Sequence, residues 1–209
     1  VSDLIPYASM TTTRRNLAAL RARGWRVLLS PVNKNTSPQD FKYALDNGAW
    51  SYYQQGVAFD EKAFVKILER RGAHADWVVV PDIVQGGRAS WDLTLRWLPR
   101  VLDHASRALL AVQDGFDERE VEALIGPRVG IFVGGSTGWK LATTHTWARV
   151  GRARDAWVHV GRVNTARRIA LCADAGVSSF DGTSATRYSK TLSLLDASVR
   201  QQTLNWQED

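Results

Sequence analysis

The stretch Tyr43-Ala44-Leu45-Asp46-Asn47-Gly48-Ala49-Trp50 decides between two folds. Asn-Gly favours the positive φ angles of a tight turn, so the segment can be a β-hairpin whose arms pair antiparallel. It can also be the end of a buried strand, with a carboxylate, a turn and an aromatic placed at the mouth of a parallel barrel. The neighbouring segments favour the barrel, and the hairpin stays as the alternative.

Working outward, short apolar runs recur at 4–10, 26–31, 43–46, 77–84, 107–114, 129–135, 156–161 and 177–182. Most are separated by stretches of helical periodicity, among them TTRRNLAALRARG, DEKAFVKILERRGAHA, RASWDLTLRWLPRVLDHA, DEREVEALI, GWKLATTHTWARV and NTARRIALCADAG. A further helical stretch follows the last run, from about 187 to 204. Continuous apolar strands alternating with amphipathic helices imply parallel pairing covered on both faces. The expectation is α/β, a single compact irregular TIM-like (β/α)8 barrel over residues 1–209. Its second crossover, 31–42, is too short and polar for a full helix. A doubly wound open sheet is the alternative, because periodicity carries no strand order.

Composition narrows the partners. The formal charge of +6 and pI near 9.8 favour a polyanion. Cys172 is the sole cysteine, so neither an intrachain disulfide nor a cysteine-built zinc site can form, which points to a reducing cytosol. No secretory signal and no membrane-spanning run is apparent, so a soluble cytoplasmic protein is expected. Of the nine tryptophans, most are expected in the core and one or two against a base.

Polar residues fall where the runs end: Asp46, Asp82, Gln113, Gly134, Gly135 and Asp181. In a barrel those ends share one mouth. Paired carboxylates there suit glycosidic chemistry, one attacking the anomeric carbon while the other protonates the leaving group, roughly 5 Å apart in retaining systems. Each Asp can instead cap a helix, although Thr183 or Ser184 can do so after Asp181; Asp82 can equally be a structural acid. Gly134-Gly135 permits close approach of backbone to a ligand. His74, His104, His145 and His159 lack metal-ligand spacing. Arg14-Arg15 and Arg167-Arg168 read as solvated helix faces, with phosphate contact as the lesser reading.

In order, these segments resemble the tRNA-guanine transglycosylase superfamily, which exchanges guanine for a 7-deazaguanine on an irregular (β/α)8 barrel. LDNGAW is similar to its DSGG-aromatic segment, VVVPDIV to its base-reading acidic strand, AVQDG to VQGG, FVGGSTG to GGLAVGE, VHVGRV to MGVG, and GVSSFDGTSATR to GxDMFDCxxPTR. The resemblance implies Asp181 as nucleophile and Asp46 as general acid and base. It implies Asp82 and Gln113 reading the guanine edge, Gly134 and Gly135 donating N–H groups to the oxo group, Trp50 as a wall of the base slot, and Val158 and His159 as further base contacts. The family's tRNA enzymes carry three zinc-binding cysteines and a histidine, and the archaeal ones further RNA-binding domains; neither feature is found here. The chain therefore looks most like the short DNA-directed members of phages and bacteria. The implied partners are DNA, with tRNA as the alternative, and a 7-deazaguanine base such as a preQ-type precursor, with no cofactor. A base-excising glycosylase and a non-catalytic nucleic-acid-binding barrel are the competing readings.

Overall fold

A computed structural model describes residues 4–33, 37, 38, 40–187 and 190–204. Eight parallel strands close into a barrel in sequence order: β1 Ile5–Ser9, β2 Arg26–Leu29, β3 Tyr43–Leu45, β4 Val78–Val79, β5 Ala108–Val112, β6 Val129–Val133, β7 Val158–Val160 and β8 Ser179–Gly182. Closure is made by β8 pairing with β1, Ile5 opposite Ser179 and Tyr7 opposite Asp181. The open-sheet alternative is excluded.

The helices are α1 Arg14–Ala22, α2 Ala49–Gln55, α3 Glu61–Arg71, α4 Gly87–His104, α5 Glu118–Glu122, α6 Thr137–Ala153, α7 Ala166–Ala175, α8 Ser184–Arg187 and α9 Thr191–Leu204. Among the described residues of the β2–β3 crossover there is no helix, as its length and polarity imply, whereas two helices fill the β3–β4 crossover. The barrel is thinnest there, with Leu45 opposite Val78 as the only β3–β4 register pair. The run 77–84 is strand for only two residues, because Pro81 lacks the N–H that would continue the ladder.

The hairpin reading of 43–50 is overturned, since β3 pairs parallel with both neighbours. Asn-Gly still makes a turn, from strand to helix: Gly48 sits at φ 82° and Asn47 Oδ1 accepts the Ala49 N–H at 2.8 Å. A side chain on Gly48 would press within 3.0 Å of Pro31 and Val32.

Strand alternation sorts the core into two. Tyr7, Leu28, Ala44, Trp77, Val79, Leu109 and Ala111 fill the barrel, while Ala108, Leu110 and Val112 of the same β5 face the helices. Trp77 lies against Tyr7 at 5.2 Å and against His159 at 4.5 Å between ring centroids, plugging the interior. Below them Asp76 accepts the Tyr7 hydroxyl at 2.7 Å and pairs with Arg26 at 3.0 Å. Among the described residues no helix is long and apolar enough to cross a membrane.

Candidate active site

Asp46 follows β3, its N–H held by Leu29 O at 2.8 Å and its Oδ2 accepting the Gly48 N–H at 3.1 Å. Burial, then the charge of Asp181, then that of Asp82, raises its pKa to about 7 against the bonds that favour the anion. Burial likewise lifts Asp82 to about 6, opposed by the Asn47 amide, which donates to Asp82 Oδ1 at 2.7 Å and to Val80 O at 2.9 Å. Asn47, 2% exposed, thus braces one acid while its own carbonyl oxygen shapes the turn beside the other. The hydroxyl of Ser30, at the end of β2, is buried near Asp46 without a hydrogen-bond partner of good geometry.

Asp181, on β8, is 6% exposed. Its Oδ1 accepts from His159 Nε2 at 3.0 Å and from the Arg162 backbone N–H at 3.3 Å. Behind it runs a chain whose direction chemistry fixes. The Trp157 indole can only donate, and does so to Ser179 Oγ at 2.8 Å. At the other end the Asp181 carboxylate can only accept, so a neutral His159 ring carries its proton on Nε2, and Nδ1 accepts the Ser179 hydroxyl at 2.8 Å. Burial holds the His159 pKa below its ordinary value, against the pull of Asp181, so the ring is a neutral, oriented donor. Both donors use Oδ1, and Oδ2 has none among the described residues.

That chain makes a prediction. Ser179→Ala removes the partner of Nδ1 and of the Trp157 indole while Asp181 still holds the Nε2 proton, so long-range ¹H–¹⁵N spectra should show an Nε2–H imidazole in both proteins, with the Nδ1 resonance shifted in the variant. The orphaned indole and imidazole should lower stability by about 1–3 kcal/mol. An Nδ1–H tautomer in the native protein would contradict the bond directions.

Several sequence-derived assignments change. Val158 packs outward against α6, where Gly151 leaves room for it, so it does not reach the barrel interior. His159 is fully buried and serves Asp181 instead of lining a base slot. Adjacent strand residues point to opposite faces, so the two could not both contact one ligand from β7. The Gly134 N–H is bound in the ladder to Val112 O at 2.9 Å and cannot serve an oxo group. Gln113 is 6% exposed, and both its amide donors are taken by Ile83 O and Ser90 Oγ at 2.9 Å each, while its Oε1 accepts from Gln85 N at 2.7 Å. It braces the β4–α4 loop, including Gln85 at φ 58°.

Gly135, at φ 68°, tolerates no side chain, because a Cβ would stand 2.6 Å from Asp114 Oδ2 and 2.8 Å from Trp139. Trp50 is at the rim, 38% exposed, stacked on Tyr53 at 5.8 Å and covered by the Arg162 guanidinium at 4.2 Å. Arg162 also donates to Gly135 O, so its side chain spans from β7 to the β6 and β3 ends. Its backbone adopts φ 59°, a strained conformation for an L-residue. The loop is pinned by the Lys140 ammonium on Gly161 O, by Val163 N on Asp181 O at 2.6 Å and by Arg168 on Arg162 O at 3.4 Å. Lys140 is 1% exposed, and burial, then Arg162, lowers its pKa to about 8. Sequence reasoning gave no role to Ser30, Lys140, Arg162 and Ser179, and read Asn47 only as a turn residue. The signal available for Ser179 was its place two residues before Asp181, on the same face of an extended strand.

Burial pushes the Cys172 thiol up to about 12, which leaves it unreactive. Among the described residues no group of three or more His, Cys, Asp or Glu side chains is arranged to hold a metal ion. No protein-family model matches the chain, and no curated protein matches it.

Proposed function

We propose that the protein is a base-exchange glycosyltransferase that replaces guanine in DNA with a 7-deazaguanine derivative. One observation carries the reading: an oriented, buried carboxylate, Asp181, shares a barrel mouth with a second carboxyl, Asp46, whose pKa of about 7 lets it give and take a proton near neutrality. Asp181 Oδ2 attacks the anomeric carbon, the bond from that carbon to guanine N9 breaks, and the Asp46 carboxyl protonates the departing base. The glycosyl–Asp181 ester remains. The incoming deazapurine then loses its N9 proton to Asp46, its nitrogen attacks the anomeric carbon, and Asp181 leaves as carboxylate.

In this reading Asp82, with Asn47 donating to its Oδ1, offers a carboxylate that accepts from the N–H groups of the base edge. A purine stacks on Trp50 by displacing the Arg162 guanidinium. Water must be kept out while the slot changes occupant, and the guanidinium lying between Trp50 and Gly135 suits that task.

The test is incubation of DNA, and separately of tRNA, with labelled guanine or a 7-deazaguanine. Incorporation into DNA supports exchange, and incorporation into tRNA alone moves the substrate to RNA. Abasic sites indicate a base-excising glycosylase, and binding without chemistry a non-catalytic barrel. Trp50→Ala should weaken affinity for the free base about 10- to 100-fold, the loss of one stacking partner. Because Trp50 is at the rim, its removal should cost about 1 kcal/mol of stability or less. A loss of about 3–5 kcal/mol with unchanged base affinity would make Trp50 a packing residue instead.

A further inference from the structure

The barrel brings together two arginine pairs that lie far apart in sequence. Helix α1 begins Arg14-Arg15 just after β1, and α7 carries Arg167-Arg168 in its first turn just after β7. In the closed sheet only β8, the strand of Asp181, stands between β7 and β1. Both pairs therefore lie on the mouth side and flank the proposed nucleophile. Neighbouring strands run about 4.8 Å apart, which puts β7 and β1 about 10 Å apart.

These are unfavourable places for cations. A helix N-terminus carries partial positive charge, and neither α1 nor α7 has an acidic residue in its first turn. Acids open α3, with Asp60 and Glu61, and α5, with Asp117, Glu118 and Glu120, while α2, α4 and α6 have none in the first turn. Arg88, in the first turn of α4, is neutralised by Asp92 at 3.1 Å and Glu120 at 2.8 Å. Arg14, Arg15 and Arg167 are exposed and form no ion pair with described residues, and Arg168 reaches only a backbone carbonyl. The Thr13 side chain makes no capping bond, so it satisfies none of the first N–H groups of α1. Beside α7 a groove of about 450 Å³ is lined by Leu141, Thr165, Arg167, Arg168 and Leu171. Placing like charge on like dipole without acids is explained if an anion completes the sector.

We propose that this β7–β8–β1 sector of the rim is the track for the DNA strand carrying the target nucleotide, its phosphates held by Arg14 and Arg15 on one side of Asp181 and by Arg167 and Arg168 on the other. The choice of DNA rests on the base-exchange reading. The track itself rests on charge and topology: phosphates would meet guanidinium groups at both helices and uncapped N–H groups at α1, whereas in α7 Thr165 Oγ already accepts the Arg168 N–H at 3.4 Å.

The test is equilibrium binding of a 20-mer DNA duplex, measured across salt concentration, for the native protein, Arg14→Ala/Arg15→Ala, Arg167→Ala/Arg168→Ala, and a control, Arg70→Ala/Arg96→Ala, on exposed arginines away from the rim. Each rim double variant should bind at least about tenfold more weakly at physiological salt, and its log–log salt slope should shrink by about 2, because two phosphates are no longer neutralised. The control should match the native protein; the melting temperature should be unchanged or slightly raised in Arg14→Ala/Arg15→Ala and slightly lowered in Arg167→Ala/Arg168→Ala, which loses the bond from Arg168 to Arg162 O. An unchanged slope in either rim variant, an equal loss in the control, no measurable DNA binding, or tighter binding of the same-sequence RNA duplex overturns the proposal. Binding is measured without base exchange, so a failure of the exchange chemistry is recognised separately.

Discussion

Asp181→Asn is expected to abolish the covalent glycosyl–protein adduct and to lower base exchange by at least about 10⁴-fold, the scale seen when a nucleophile is removed from a working site. Asparagine is isosteric, and its Oδ1 can still accept from His159 Nε2 and the Arg162 N–H, so the bonds that orient the side chain survive. DNA binding and melting temperature should therefore stay near those of the native protein while chemistry stops. Intact-mass spectrometry of protein trapped with DNA reads the adduct directly. Full exchange by Asp181→Asn, or an adduct mapped to another residue, would remove Asp181 from the reaction.

The second large effect is at Asp46 and has opposite signs for stability and for rate. Its folded pKa, about 7, stands above the ordinary 3.8, so the folded protein keeps a proton that the unfolded chain releases near pH 4. For a group raised in this way, the stability linked to its protonation is present below the unfolded pKa and is lost as pH rises through about 7. Asp82, raised to about 6, acts in the same direction. Asp46→Asn stays neutral at every pH. It should match the native protein near pH 4 and exceed its stability above pH 7, by on the order of 2–4 kcal/mol. Exchange, in contrast, should fall about 10²- to 10⁴-fold for loss of the acid and base. In the native protein kcat/KM for DNA should decline as pH rises through about 7, because expelling guanine requires protonated Asp46. In Asp46→Asn that decline should vanish. A variant that keeps the alkaline decline would assign the titration to another group.

Much of the fold was legible in local pattern. The recurrence of apolar runs between amphipathic helices was enough to expect eight β/α units, and the polar 31–42 segment to expect a missing helix. The Asn-Gly turn was also legible as a turn, but whether it joined two antiparallel strands or a strand to a helix was not. Both uses need the same positive φ at Gly48, and only the parallel partners on each side of β3 separate them. The pleat alone implied that Val158 and His159 face opposite ways. It did not say which faces inward, because a parallel strand is apolar on both sides.

By itself the sequence determined the period-two and helical patterns, the strand ends where Asp46, Asp82 and Asp181 stand, and the excess of positive charge. The patterns and strand ends are properties of neighbouring residues, fixed by backbone geometry over a few positions, and the charge is a sum over the composition. Tertiary structure decided who meets whom. Closure of β8 on β1 set Arg14-Arg15 and Arg167-Arg168 on one rim. The β7–β8 register put Ser179 beside His159 and aimed that ring at Asp181. The ladder took up the Gly134 N–H, and the loops took up the Gln113 amide. A polar group's role depends on whether its hydrogen bonds are already made inside the protein, and those partners lie 20 to 35 residues away in the pairs that define this site. No short-range pattern encodes such distances; the closed barrel does, because it fixes every strand's neighbours at once.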